Sequence, residues 1–244
     1  MAAPKVYLSA PYHWYNKCAI SGCDENTHNN EYLDELKVYL EACGIETKRG
    51  YRRPPKDSTT DGTKLMKKAV AESNKWGADV HYISHTNAFN GTVRGYRPMI
   101  YTGSTKGEKL AKIMVAKRKE IYDQPISLTK RTDLYELNSP VAVSYYEEHV
   151  FHDNKADAQW FHDNLRAIAA NAAQGLCEYF GIPFVDPYAE KKQVVLGEYD
   201  TLRAADDALG EIHATIASLE AALDDAKTYA GKLEAVLKNV KVVG

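Results

Sequence analysis

Val195, Leu202, Leu209, Ile216, Leu223, Ala230 and Leu237 recur at intervals of seven, and Ala205, Ile212, Leu219, Ala226, Leu233 and Val240 fill a second register three residues later. Asp, Glu and Lys surround both rows. A sustained seven-residue apolar repeat suits a helix that buries one seam against a partner helix, because 3.5 residues per turn keeps the seam facing that partner. A single helix laid on a globular body would not require so strict a period. The repeat therefore divides the chain into a globular domain, residues 1–187, and a C-terminal helical coiled-coil segment, residues 188–244, that serves oligomerisation or targeting. The number and direction of the coiled-coil strands stay open.

The globular part alternates strand and helix patterns. Lys5–Ser9 reads as a buried strand, followed by a loop over residues 10–24 that carries His13, Trp14 and Cys18. A helix is expected from about Glu25 to Cys43, with Leu33, Leu36, Leu40 and Cys43 on one face and Gly44 as its stop signal. Ile45–Lys48 is a second strand, residues 49–62 a polar surface loop, and residues 64–76 a helix leading into a strand over 78–85. Further on, Gly95–Tyr101 reads as a strand, Lys106–Tyr122 as a helix and Leu134–Leu137 as extended. The run from Val141 to Tyr146 is a strand ending in Glu147 and Glu148, and one long helix from Lys155 to Phe180 closes the domain. The expected class is α/β, a mixed, mostly parallel sheet with helices on both faces, followed by the long C-terminal helix.

Charge and composition exclude several functions. The 31 basic and 33 acidic residues nearly balance, so no broad positive field is available for nucleic acid or an anionic membrane. No segment is apolar for long enough to insert in a bilayer, and Met1–Lys5 lacks the pattern of a secretory signal. The 17 tyrosines against 5 phenylalanines fit either a polar aromatic groove or, for most of them, amphipathic surface. Four cysteines, at 18, 23, 43 and 177, are too few and too irregular for a disulfide framework. Cys18 and Cys23 flank the candidate site and leave a zinc-thiolate reading open, which the lack of a second close pair disfavours.

Ala78–Ala88 is an apolar, β-branched run in which His85 gives way at once to small polar residues. An α/β protein commonly presents a ligand or catalytic side chain at such a strand end. A lone histidine there is more often structural, so His85 needs partners. The first loop supplies His13, the first helical turn Glu25, and a later strand end Glu148. Two imidazoles and a carboxylate form a three-ligand zinc set with an open fourth position, and a second carboxylate can act as general base.

At these residues the chain resembles the zinc-dependent N-acetylmuramoyl-L-alanine amidases of the type 3 family, found among bacterial cell-wall hydrolases and phage endolysins. The resemblance rests on Lys5–Ser9 leading to His13, on Gly22-Cys23-Asp24-Glu25 with Asn29 a turn later, and on Gly77-Ala78-Asp79 leading to Ser84–Ala88. It continues in Pro140–Val143 leading to Glu148–Asn154 and Asp157, and spans residues 4–182. It implies that His13, Glu25 and His85 hold Zn2+, that Glu148 is the catalytic acid/base, and that the substrate is the amide between N-acetylmuramic acid and L-alanine in peptidoglycan. One departure concerns His13: the family opens with Gly-His-Gly after its first strand, whereas this chain has Ala10-Pro11-Tyr12-His13-Trp14. His28 is therefore a competing ligand, one helical turn after Glu25. Glu147 and Glu148 project to opposite faces of a strand, so only one reaches the metal, and the interval to Phe151, Asn154 and Asp157 selects Glu148. His81 is too far along its strand to share the ion, Glu31 is expected in solvent, and His149 and His152 are expected to be local structure. Asn87 and Arg131 are candidate substrate contacts, with an exposed ion pair the competing reading for Arg131.

The expected activity is peptidoglycan hydrolysis. The alternatives are a zinc peptidase acting on a stem-peptide bond and a non-catalytic wall-binding coiled-coil protein. With no signal peptide read, the expected context is an endolysin made in the cytoplasm that reaches the wall on phage or prophage lysis, or export by an unrecognised route. Partners are peptidoglycan and further copies of the chain.

Overall fold

The computed structural model describes residues 2–50, 61–189 and 202–240. Most of the loop read over residues 49–62, and Val195 of the apolar repeat, lie outside the described residues. The chain divides into two compact units, Met1–Pro187 and Tyr188–Gly244.

The first unit is built on six strands: β1 (Lys5–Ser9), β2 (Glu46–Arg49), β3 (Val80–Asn87), β4 (Arg97–Tyr101), β5 (Thr129–Arg131) and β6 (Val143–Phe151). Their order in the sheet is β2-β1-β3-β6-β4-β5. Every neighbouring pair is parallel except β4 and β6, which run antiparallel, so the sheet is mixed and mostly parallel. Around it lie α1 (Glu25–Ala42), α2 (Gly62–Trp76), α3 (Thr105–Ile121), α4 (Tyr135–Asn138), α5 (Lys155–Asp163) and α6 (Leu165–Phe180). The helix α7 (Leu202–Val240) belongs to the second unit.

Local chemistry sets the helix ends. The Asp24 carboxylate accepts from the Thr27 amide at 2.8 Å and starts α1, while Leu33, Leu36 and Leu40 form its buried face. Asn154 caps α5 by accepting from the amides of Ala156 and Asp157. Asn164 then breaks the long helix expected over 155–180 into two, because its backbone leaves helical geometry and its side chain donates to the Trp160 carbonyl. Of the segment expected as extended, Leu134–Leu137, only Leu134 is extended, as the N-cap; the rest falls in the short helix α4, whose Glu136 and Leu137 are buried. Strand β6 runs on to Phe151, so Glu147 and Glu148 lie within it rather than at its end.

Most unexpected is where the tyrosines go. Tyr7, Tyr32, Tyr39, Tyr82, Tyr96, Tyr122 and Tyr145 are buried, while Tyr15, Tyr101, Tyr135 and Tyr229 are exposed, so the tyrosines serve both core and surface. Three of them meet Glu147: Tyr82 and Tyr96 donate short hydrogen bonds to its carboxylate and Tyr32 a longer one. Arg118 of α3 lies 3.7 Å from the same carboxylate and stacks over the Tyr96 ring. Phenols suit this core because each carries a large apolar ring and one group that can satisfy a buried charge.

A second buried carboxylate, Asp157, ties the β3–β4 connection to α5. It accepts from Arg94 Nε at 2.7 Å, Tyr122 Oη at 2.7 Å and the amides of Gly95 and Phe151. Gly95 itself has φ +134°, and a Cβ placed there would sit 2.5 Å from the Pro125 carbonyl oxygen. Gly95→Ala is expected to destabilise this unit by roughly 3 kcal/mol in urea unfolding followed by tryptophan fluorescence. Gly91→Ala, with φ +75° but no neighbour nearer than 3.6 Å, should cost only about 1 kcal/mol.

Candidate metal centre

The site forms where the parallel strands end, the usual place for a ligand in an open α/β sheet. From β1 the chain enters the loop that carries His13. It then folds into a hairpin closed by the Lys17–Asp24 bridge and enters α1 at Glu25. In the next strand of the sheet, β3 brings His85 to the same edge. Glu25 lies between the two imidazoles: Oε2 is 3.2 Å from His13 Nδ1 and Oε1 is 2.8 Å from His85 Nδ1. One ligand atom from each of His13, Glu25 and His85 lies within 4.8 Å of the others. In β6, Glu148 stands directly opposite His85. Residues paired across parallel strands project to the same face, so Glu148 faces the cluster and Glu147 faces the tyrosine core behind the sheet.

Electrostatics separate the two glutamates. Burial alone would raise the pKa of Glu25, but hydrogen bonds to His13 and His85 and their charge hold it well below the usual carboxylate range. The hydrogen bond to Glu25 in turn raises His13. Glu148 goes the other way: burial, followed by the negative charge of Glu25, raises its pKa well above normal. Its Oε2 is buried and has no hydrogen-bond partner among the described residues. An ionised carboxylate between two imidazoles, beside an unsatisfied carboxyl oxygen, fits a divalent cation with a water to be activated.

Beside the cluster opens a cavity of about 330 Å³, lined in part by His13, His85, Tyr12, Tyr15, Tyr135 and Tyr146. Tyr146 stacks on the His85 ring with centroids 4.7 Å apart. Glu136 also lines this cavity. It accepts from Ser9 Oγ at 2.6 Å and lies 3.1 Å from His81 Nε2. Burial opposes its ionisation, but the His81 hydrogen bond and charge lower its pKa. Sequence reasoning missed Glu136 because α4 was read as extended. It also missed Asn16, whose amide donates to Glu25 Oε2 at 2.6 Å and which no periodicity marks in an irregular loop.

The other sequence candidates separate clearly. His28 turns away from His85: its Nδ1 is 3.0 Å from Cys23 Sγ and its Nε2 is 3.2 Å from His162 Nδ1. Cys18 and Cys23 are joined as a disulfide, a pairing that cysteine count and spacing did not foretell because the hairpin creates it. His81 is buried against Tyr7 and Glu136, His149 contacts Ser84 and Arg118, and His152 contacts Thr86. Glu31 is half-buried on α1. Asn87 accepts from the Ala88 amide, and Arg131 pairs with Asp133 on the edge strand. Neither is among the residues that line the cavity.

The fold is shared with solved amidases. An N-acetylmuramoyl-L-alanine amidase from Clostridium difficile 630 aligns with TM-score 0.64 at 18% identity, over 74% of this chain and 98% of that one. The catalytic domain of CwlV, an N-acetylmuramoyl-L-alanine amidase from Bacillus (Paenibacillus) polymyxa var. colistinus, aligns with TM-score 0.63 at 14% identity, covering 74% of this chain and 99% of its own. The catalytic domain of the CD27L endolysin targeting Clostridia Difficile gives 0.61 at 20% identity, over 72% of this chain and 97% of that one. No curated protein sequence matches the chain. The family described as N-acetylmuramoyl-L-alanine amidase matches residues 14–178, a span that holds Glu25, His85 and Glu148 and begins one residue after His13. With most of its length matched, and with the strand-end cluster on the fold these amidases share, the chain belongs to the N-acetylmuramoyl-L-alanine amidase family.

Proposed function

We propose that this peptidoglycan amidase is zinc-dependent, with His13, Glu25 and His85 as the metal ligands and Glu148 as the acid/base. The observation that carries the reading is the convergence of those three ligand atoms with Glu148 in register opposite His85. Zinc, when bound, supplies Lewis acidity that polarises the scissile carbonyl and makes water a stronger acid. Glu148 takes the proton from the attacking water and delivers it to the departing L-alanine nitrogen. Its raised pKa makes the Glu148 carboxylate a stronger base than an exposed one and lets it hold the proton between the two steps. Asn16 fixes the Glu25 carboxylate, and Tyr146 holds the His85 ring by stacking on it. The tyrosines of the cavity offer faces for the sugar and edges for the stem peptide, and Asn87 and Arg131 are assigned to more distant parts of the substrate.

Purified full-length protein should carry about one catalytic zinc per chain and release new L-alanine amino termini from peptidoglycan. Glu148→Gln should retain the metal and lose about 10²–10⁴-fold in rate. His85→Ala should lose both metal and activity, and a chelator should abolish activity until zinc is returned. New termini other than L-alanine would shift the reading to a zinc peptidase. Wall binding without cleavage would leave a binding protein.

The tail is proposed to be a homo-oligomeric coiled coil. Helix α7 is 39 residues, or ~58 Å, long, and Leu209, Ile212, Ile216, Leu219, Leu223, Leu233 and Leu237 along it are exposed. These residues fall in the two seven-residue registers, a pattern complementary to a second copy of itself. The side chains of Leu202, Ala205 and Val240, which extend the registers, are outside the described residues. Sedimentation equilibrium should show an oligomer for the full chain and a monomer for a chain ending at Pro187. A monomeric full chain would rule out self-association.

We assign the biological setting to an endolysin, supported by the likeness to the CD27L catalytic domain. Among the described residues no helix is long and apolar enough to cross a membrane. Cells expressing the protein should lyse only once their membrane is permeabilised, and release of the protein from intact growing cells would contradict this assignment.

A further inference from the structure

The hairpin that leads into Glu25 carries a second cluster of metal-binding side chains, separate from the catalytic set. Cys18 and Cys23 stand at its two sides, with the Cys18 amide donating to the Cys23 carbonyl at 3.3 Å. His28 approaches from the first turn of α1. Ligand atoms of Cys18, Cys23 and His28 all lie within 4.8 Å of one another, and Cys23 and His28 are buried.

The orientation of His28 is the informative part. Its Nδ1 points at Cys23 Sγ, 3.0 Å away, and its Nε2 is 3.2 Å from His162 Nδ1 on α5. A disulfide sulfur is a poor hydrogen-bond partner, so Nδ1 is weakly satisfied in the oxidised hairpin. The contact with His162 is the arrangement that a ligating imidazole needs, with one nitrogen free for the metal and the other held by a second group. None of these four side chains has a part in the amide hydrolysis described above.

We propose that, once the Cys18–Cys23 disulfide is reduced, Cys18, Cys23 and His28 bind a zinc ion, with His162 holding His28 in its ligating orientation. Reduction by a phosphine or a low-molecular-weight thiol breaks the S–S bond and adds two electrons and two protons. Zinc then displaces the two thiol protons as both thiolates coordinate it. A tetrahedral zinc spaces thiolate and imidazole ligands about 3.6–3.8 Å apart, so the sulfurs must separate while His28 moves by about half an ångström. The hairpin and catalytic centre share a boundary: the Glu25 amide donates to the Asn16 carbonyl at 3.0 Å, two residues before Cys18. The same hairpin therefore exists in a disulfide state and a zinc-thiolate state, and the redox environment selects between them.

The test uses the full-length protein, prepared either with a phosphine reductant or after oxidation with diamide, and loaded with zinc or cobalt(II). Elemental analysis should find about one more zinc per chain in the reduced form. Reduced, cobalt-loaded protein should show a sulfur-to-cobalt charge-transfer band that is absent from the oxidised form. His13, Glu25 and His85 contain no sulfur, so this band reports the new site whether or not the catalytic assignment holds. The band should disappear in the Cys18→Ser/Cys23→Ser variant and persist in Cys43→Ser and in Cys177→Ser, which excludes the remaining thiols. His28→Gln should weaken the thiolate-bound cobalt by at least about tenfold. Equal metal content in the two redox states with no sulfur-to-cobalt band would overturn the proposal, as would a band that survives loss of Cys18 and Cys23. The wild-type comparison alone decides if the double variant fails to fold.

Discussion

The parallel pairing of β3 with β6 is the constraint on which the rest of this domain depends. Its register sets His85 opposite Glu148 and Ser84 opposite Glu147. Side chains alternate along a strand, so one register decides two environments. On one face, His85 and Glu148 border the strand-end cluster. On the other, Ser84 and Glu147 enter a buried polar core with Tyr82, Tyr96, His149 and Arg118. A slip of one residue would bring Glu147 to the cluster and push Glu148 among the tyrosines.

The two faces are also joined by hydrogen bonds. His149 Nε2 is 3.5 Å from Glu147 and 2.9 Å from Ser84 Oγ. Ser84 donates to Asn29 Oδ1 at 2.6 Å, and the Asn29 amide donates to the Glu25 carbonyl at 2.8 Å. The buried network thus holds the first turn of α1, where Glu25 must sit to reach both imidazoles. Such a network is costly if any member is left unpaired, which favours a single position for that turn. Asn16 and the Cys18–Cys23 hairpin hold the same residue from the loop side.

The proposed metal ligands and the proposed redox-sensitive cluster therefore meet within a short stretch of chain. Glu25 and His28 share the first turn of α1, yet Glu25 faces His13 and His85 while His28 faces Cys23 and His162. Of the two histidines that spacing alone left in competition, it is His13 that lies beside Glu25 in the structure, while His28 faces the Cys23 side. In the second unit, the exposed apolar registers of α7 provide the surface on which copies of the enzyme are proposed to pair.

Much of this architecture was legible in the sequence. β1 and α1 fall where strand and helix patterns placed them, and His13, Glu25 and His85 converge as a set. From Leu202 onward, the seven-residue repeat lies on one continuous helix. These features are local: periodicity and caps report which face of one element is buried. The tertiary structure alone decided the break at Asn164, the helix at Tyr135–Asn138, the burial of the tyrosines around Glu147 and the pairing of Cys18 with Cys23. Tyr32, Tyr82 and Glu147 lie far apart in the chain and have no shared spacing to announce them. What joins them is the sheet order β1-β3-β6 and the packing of α1 against it, and sheet order is set by long-range burial rather than by any local pattern.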